Sequence, residues 1–411
     1  MRKRIHDEAP VLPEAGDQLP VLELRTRHNS GHPWIFRRMA GEPNTDIEPG
    51  ALVEVIDKTG QFVGRGFYNP HSEIAVRLLT TMKSAYPDRR WFMGAIARAV
   101  KLRHDVLHLN EHGDAYRLVH SEGDGLSGLI ADRYGSCIVL QLFSAGMHRH
   151  LDWVRQGFAE QFPDCEMIVR SDYRTEKLEG VKMDGPAPRT REVVIREHNL
   201  KLNVDLRRGH KTGYFLDQRE NRRRMAEMCK GQKVFDGFCY TGGFAISAAL
   251  NGAASVEAAD LDEEAIEVAE QNRKLNEVGA IGESLKFTHG NVFDILRDRR
   301  AAGVRYTRMI LDPAKLAVSR HEVGKALSAY ADMNRLGMQC LEPGGVLLSC
   351  SCTGLVGEEE FLMALRAAAA EANVELQIIA IHGAPGDHPW AVRAPEGRYL
   401  KAVFSRVMPL V

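Results

Sequence analysis

The chain predicts an α/β fold, a doubly wound and mostly parallel sheet in its C-terminal half, preceded by a small β-rich module and a central α+β region. Three observations carry this reading. From about residue 197 short apolar runs alternate with helical stretches, as in "KVFDGF", "ISAALNG", "SVEAADL", "EEAIEVAEQNRKLN", "LKFTHGN" and "YTRMILDP", which is the pattern of strands joined by crossover helices. Near the start, two alternating runs flank Asp57 to Gly60, a hairpin signal. Between the two regions the order is strands, helix, strands.

The elements divide the 411 residues into a flexible tail at 1–19, a β module at 20–82, an α+β domain at 83–196 and the α/β domain at 197–411. In the β module, "GALVEVIDKTGQFVGRGFYNP" and "SEIAVRLLT" supply the alternating strands. The central domain opens on "RRWFMGAIARAVKLRHDVLHL", where Phe92, Ile96, Ala99, Val100 and Val106 recur at helical steps. Strands and Gly-rich turns follow in "YRLVHSEGDGLSGLIADRYGSCIVLQLFSAG", then a helix at "LDWVRQGFAEQF" and a strand at "CEMIVRSD".

Composition excludes several function classes. An apolar share of 44% and a charged share of 27% describe a globular protein, not a fibrous or disordered one. With 54 Lys plus Arg against 55 Asp plus Glu, affinity for a polyanion has to come from local patches. Seven cysteines, an odd number without a CxxC pair, give neither a disulfide framework nor a metal-ligand ladder. The charged opening "MRKRIHDEAP" lacks the apolar core of a signal peptide, and no stretch reaches about 20 uncharged apolar residues. A reduced, cytoplasmic protein is expected.

The candidate site begins at "KVFDGFCYTGGFAISAA", where an apolar strand runs through Asp236 into Gly237 and Gly242-Gly243 and then a small-residue helix. Glycines there let backbone approach a ligand and aim helix N–H groups at it. The spacing is not GxGxxG, so the dinucleotide fingerprint is absent. Asp260 ends the next strand in "VEAADLD", 24 positions after Asp236, where a carboxylate can accept ribose hydroxyls or cap a helix, as Asp262 also can. Asn291 closes a third strand in "FTHGNVF".

Taken in order, "GHKTGYFLDQR", "FDGFCYTGGFA", "LDPAKLAVSR", "SCTGL", "DHP" and "PEGRYLK" resemble the RlmI-like family of class I S-adenosylmethionine-dependent 23S rRNA cytosine-5 methyltransferases. The resemblance spans nearly the whole chain. It implies a Rossmann-like methyltransferase domain behind a PUA-like RNA-binding domain and a central α+β domain. It further implies a methyl donor cradled by Phe238, Tyr240, Thr241, Gly242 and Gly243, beside Asp236 and Asp312, with Asp260 and Leu261 at the ribose and Asn291 and Val292 near the adenine. Phe215 and Gln218 in "YFLDQR" would close over the donor.

At the reacting end, "MILDPAKLAVSR" puts Asp312 at the close of an apolar strand, where α/β sheets hold their chemistry. Enzymes that methylate an exocyclic base nitrogen need an aromatic side chain just after such a turn, but Lys315 stands there. Cytosine C5 becomes nucleophilic only after a thiolate adds to C6, so that chemistry needs a cysteine. "LLSCSCTG" offers Cys350 and Cys352, two apart and on one face of a strand. The later one, Cys352, lies nearer the crevice beyond the strand ends, and it aligns with the cysteine of the family's S-C-S-G-L run. Cys352 as nucleophile, with Asp312 on the ring N3 edge and Lys315 beside it, is the expected catalytic set. The sequence departs from the family at Ala314, where a second proline is common, and at Thr353, where serine is usual. His388 in "GDHPW" reads equally as a proton acceptor or a structural histidine.

Between Arg189 and Lys230 twelve Lys and Arg face six Asp and Glu, including Arg222, Arg223 and Arg224, a strip able to track phosphates or to form an ordinary solvated face. Arg207, Arg208, Lys211 and Lys315 are the expected RNA contacts, and His32, Trp34, Arg65 and Tyr68 are candidate surface contacts of the β module. The partner is then 23S rRNA, and the reading allows a homodimer without requiring one. Three alternatives stand: a methyltransferase acting on another base such as a guanine nitrogen, a non-catalytic RNA-binding or ribosome-assembly factor, and, more distantly, a nicotinamide oxidoreductase.

Overall fold

A computed structural model describes residues 17–28, 30–43, 45–183, 185, 189–207, 212–276 and 284–410. The chain forms two compact units. The first comprises residues 1–193, 205–214 and 387–397, and the second 194–204, 215–386 and 398–411.

The first unit holds two sheets. Strands β1 (Val21–Glu23), β2 (Trp34–Phe36), β3 (Leu52–Ile56), β4 (Phe62–Tyr68) and β5 (Ile74–Thr80) pair in the order β1-β3-β4-β5-β2. The β3–β4 hairpin turns at Asp57, whose carboxylate accepts from the backbone N–H of Thr59 and Gln61 at 2.8 and 3.1 Å, an Asx turn. Inward-facing Leu22, Ile35, Val53, Val55 and Val76 form its core. Helix α1 (Arg89–Lys101), capped by Asp88, packs with β6 (Ala115–His120), β7 (Leu129–Tyr134), β8 (Cys137–Leu142), α2 (Leu151–Gln161) and β9 (Glu166–Arg170). Strands β6, β7, β8 and β9 pair in sequence order.

Most of the hairpin of β10 (Glu192–Glu197) and β11 (Leu200–Asp205) belongs to the second unit, followed by α3 (Arg219–Glu227). Its main sheet is built by β12 (Lys233–Gly237), α4 (Gly243–Leu250), β13 (Ser255–Asp260), α5 (Glu263–Leu275), β14 (Leu285–His289), α6 (Val292–Ala301), β15 (Tyr306–Leu311), α7 (Val323–Gln339), β16 (Leu341–Ser351), α8 (Glu358–Ala372), β17 (Val374–His382) and β18 (Lys401–Pro409). The strand order is β14-β13-β12-β15-β16-β18-β17, parallel through β16, with β18 running antiparallel between β16 and β17. The doubly wound sheet expected from the alternation is present. Strands β12 and β16 are buried on both faces, as central strands covered by helices must be.

The order reverses at β12, which pairs with β13 on one side and β15 on the other. Helices leave this switch point in opposite directions, opening a crevice beyond the carboxyl ends of the strands. Gly237, Asp260, Leu311 and Ser351 are the last residues of β12, β13, β15 and β16, so whatever follows each of them borders that crevice. No helix among the described residues is long and apolar enough to cross a membrane.

Candidate active site

The turn after β12 is built under strain. Phe238 and Tyr240 sit at φ +65° and +49°, in the left-handed region, and Gly242 follows at +84°. Side chains other than Gly, Asn and Asp rarely adopt that conformation, and it persists only where surrounding bonds enforce it. They do so here. The N–H groups of Phe238 and Cys239 donate to Ala259 O at 2.9 and 3.0 Å, the Tyr240 N–H donates to Asp260 Oδ2 at 2.8 Å, and the Gly242 N–H to Cys239 O at 2.9 Å. Asn272 Nδ2 holds Thr241 O at 3.0 Å. Glycine is required at 242 twice over, since a Cβ would stand 2.9 Å from the Phe287 ring. Thr241 and Gly243 are buried where α4 starts.

Asp260 carries more than one load. Its Oδ1 accepts the Asp262 N–H at 3.0 Å while Oδ2 takes Tyr240, and each carboxylate oxygen keeps further acceptor capacity. Capping of α5 falls to Asp262, whose Oδ1 accepts from Ala265 N at 3.1 Å. Leu261 is 66% exposed at the strand end, which suits an apolar cover over a planar ligand. Asn291 caps α6, its Oδ1 accepting from Phe293 N at 2.9 Å, with Val292 buried behind it. The Asn291 side-chain oxygen is therefore engaged in a helix cap.

Asp236 lies beneath this loop, fully buried, and neither carboxylate oxygen makes a hydrogen bond of normal geometry. Burial, then Asp312 and Asp260, push its pKa well above the ordinary carboxylate range; the Ala245 backbone and Arg222 only partly oppose them. Gln218 is buried as well. Its Oε1 accepts from Asn221 Nδ2 at 2.7 Å, and its Nε2 is left facing the Cys350 thiol without a hydrogen bond of full strength. Phe215 meets the Tyr240 ring edge-on at 5.1 Å between centroids. Buried donors and acceptors without full partners are expensive, so this set fits a polar ligand that brings its own.

Beyond β15 and β16 lies a second cluster. The Asp312 N–H points at Gly237 O, 3.4 Å away, tying the end of β15 to that of β12. Cys350 is fully buried, and burial, then Asp312, push its thiol well above the usual range. Cys352 is half-buried, one residue past the end of β16. Cys352 and Asp312 both raise the pKa of the buried Tyr330 hydroxyl, behind burial itself, so all three groups occupy one neighbourhood. Thr353 Oγ1 bonds Tyr330 Oη at 3.0 Å and accepts the Leu316 N–H at 3.2 Å, linking the loop after Asp312 to the loop after Cys352. Lys315, in that first loop, is exposed.

Several other candidates are placed differently. Arg222 is buried and paired with Glu197 through two bonds of 2.8 and 2.5 Å, while Arg219 and Arg223 pair with Glu220 and Glu227. The α3 arginines just named are thus engaged by acids on the same unit, which weakens the expected phosphate strip. Arg207 is exposed; Arg208 and Lys211 lie outside the described residues. In the β module Tyr68 is buried, Arg65 is bound to Glu54 at 2.9 Å, and the Trp34 indole donates to Glu122 at 2.7 Å. Trp34 looked exposed because its partner is 88 residues away, and Arg65 because Glu54 faces it across the β3–β4 hairpin. His388 is buried beside Asp387, 3.0 Å away, with the His120 ring at 5.2 Å, a packed polar setting in the first unit.

Two contributors were missed. Lys401 donates to three backbone oxygens, two of them in the turn after Cys352, and the Tyr399 hydroxyl donates to Asp217 at 2.6 Å. A lysine inside the apolar run "YLKAVF" was the available signal, because such a cation needs several acceptors.

Comparison with known proteins gives the family of the chain. A family model of S-adenosylmethionine-dependent methyltransferases matches residues 164–400, and a PUA-like domain model matches residues 25–81. Ribosomal RNA large subunit methyltransferase I of Shewanella frigidimarina is 37% identical over 387 residues, covering 92% of this chain and 95% of that protein. The protein of the same name from Aliivibrio fischeri is 37% identical over 382 residues, with 92% and 96% covered. Two solved structures share the fold at 19% identity: one described as a methyltransferase complexed with SAH (TM-score 0.79, covering 94% of this chain and 99% of that one) and one described as a SAM-dependent methyltransferase from Streptococcus mutans (0.78, 95% and 100%). Sustained over nearly the full length of both proteins, that identity makes the chain a member of the ribosomal RNA large subunit methyltransferase I family, with S-adenosylmethionine as its cofactor.

Proposed function

We propose that this protein methylates C5 of a cytosine in 23S rRNA, in the cytoplasm, through a covalent adduct between Cys352 and C6 of the base. The observation that carries the reading is the cluster of Asp312 and half-buried Cys352 just past the ends of adjacent strands, with Cys350 sealed in the sheet. Bound S-adenosylmethionine supplies an electrophilic methyl group; Phe215, Gln218, Asp236, Phe238, Tyr240, Thr241, Gly242, Gly243, Asp260, Leu261, Asn291 and Val292 are the residues proposed to hold it. The Cys352 thiolate adds its electron pair to C6, and the C5=C6 π electrons shift through C4 toward N3. Asp312 takes up a proton as the base binds and donates it to N3, neutralising the charge arriving there and leaving C5 electron-rich. After transfer a water molecule takes the C5 proton, the C5–H electrons re-form the C5=C6 bond and expel the thiolate, and N3 returns its proton to Asp312. Lys315 and Arg207, both exposed, are proposed to meet the RNA together with Arg208, Lys211 and the PUA-like domain at 20–82.

Bisulfite sequencing of 23S rRNA from a strain lacking this protein tests the reading. One cytosine is expected to lose its protection and to regain it on complementation. A lost methylguanosine in nucleoside mass spectra, with every cytosine mark intact, would replace it with guanine-nitrogen transfer.

The buried Asp236 gives a further expectation. Its raised pKa means that the donor-free site holds a proton at pH values where an exposed carboxylate holds none, and a cationic donor nearby favours the ionised form. Donor binding should therefore release a proton, and affinity should rise as pH climbs from the ordinary carboxylate range through the raised value. By the same sign the donor-free fold loses stability over that interval, since its native state binds the extra proton. Calorimetric titration in buffers of different ionisation enthalpy measures the release. Asp236→Asn should abolish it, and equal release in that variant would assign the proton elsewhere.

A further inference from the structure

Lys401 opens β18 directly opposite Ser351, the residue before Cys352, in the antiparallel β16–β18 ladder. Its side chain turns into the protein, and the residue is only 5% exposed. All three ammonium protons have acceptors: Thr353 O at 2.8 Å, Val356 O at 2.7 Å and Tyr399 O at 2.9 Å. Two of these lie in the turn that starts at Cys352, so this side chain fixes the path of the backbone carrying the thiol. Carbonyl oxygens satisfy the ammonium's hydrogen bonds but do not neutralise its charge.

The groups facing it decide what does. Cys352 comes from the end of β16, Glu358 and Glu360 from α8, and Arg398 from the segment before β18. Glu358 is already paired with Arg398 at 2.6 Å, and the Glu360 carboxylate accepts the Gly357 N–H at 2.7 Å. Of the neighbours that favour the charged ammonium, Cys352 contributes most. Asp312 and Cys352 both act on Cys350 and on Tyr330, so the carboxylate shares the neighbourhood of the thiol.

We propose that Lys401 is the positioning residue for Cys352: its ammonium locks the turn at 352–356 and holds the cysteine in its thiolate form, so that a cation in the neighbouring strand, rather than a general base, generates the nucleophile. The proposal rests on the reading of Cys352 as nucleophile. The coupling is mutual, because whatever favours the thiolate through the ammonium favours the ammonium through the thiolate. Burial pulls Lys401 down to about 8, so the assistance is available at neutral pH and is withdrawn as the solution becomes alkaline.

The test follows alkylation of Cys352 by iodoacetamide in the full chain across neutral to alkaline pH, with fragment mass spectra separating Cys352 from Cys350. In Lys401→Met the midpoint should move up by about one pH unit, the lower end of the effect of a close opposite charge. Lys401→Arg, which keeps the charge throughout, should retain a midpoint at or below that of the unaltered protein. An unmoved midpoint in Lys401→Met that still binds S-adenosylmethionine overturns the proposal. Should Lys401→Met not fold, a midpoint raised by a full unit in Lys401→Arg overturns it instead. The readout needs no RNA and no turnover, so it stands apart from the question of whether Cys352 attacks the base, which Cys352→Ala answers.

Discussion

Cys352→Ala is expected to lower methyl transfer by a factor on the order of 10⁴ or more, as loss of an obligatory nucleophile does, while donor affinity stays within about twofold. The separation follows from position. Cys352 sits past β16, beside Asp312 and Tyr330, whereas the strained turn and Asp260 lie at β12 and β13. Cys350→Ala tests the opposite assignment. That thiol is sealed in the sheet and raised well above the usual range, so its removal should cost stability of about 1 kcal/mol through a small cavity and leave transfer within about tenfold. Single-turnover assays with 23S rRNA, paired with calorimetry of donor binding, give both numbers. Full transfer by Cys352→Ala would end the covalent mechanism.

The sequence showed most where structure is local. The glycines after β12, the carboxylate ending β13, the one just past β15 and the order of two cysteines along one strand are read from strand direction and turn chemistry over a few residues. Partnerships across the chain were hidden. Nothing near "RYLK" says that β18 inserts between β16 and β17, yet only that placement carries Lys401 to the Cys352 turn. Arg222 read as part of a phosphate strip because Glu197, its partner, lies in a hairpin 25 residues earlier. Trp34 read as a surface contact because Glu122 is 88 positions away, and His388 read equally as proton acceptor or structural histidine because His120, which packs against it, is remote in sequence. The strain at Phe238 and Tyr240 was equally illegible, since no propensity predicts aromatics at positive φ; only the bonds to Ala259 and Asp260 account for it.

Asp312→Asn is expected to reduce transfer by about 10² to 10³, the range for removing one group aimed at developing charge, and to do so in the rate of the chemical step more than in RNA affinity. An amide still reaches N3 as a hydrogen-bond donor, but it cannot share a proton with the nitrogen as electrons arrive from C6. The same substitution also has an opposite effect on the thiol. Asp312 is the largest single charge raising the pKa of Asp236 and of Cys350, and it acts on Tyr330 together with Cys352. Removing that negative charge should make the Cys352 thiolate easier to form, so alkylation at a fixed neutral pH should speed up while methyl transfer slows. A carboxylate that merely held the turn together would give slower transfer with no gain in thiol reactivity. A group that stabilises the base adduct at the expense of the free thiolate must show both, and measuring the two rates on one preparation separates the cases.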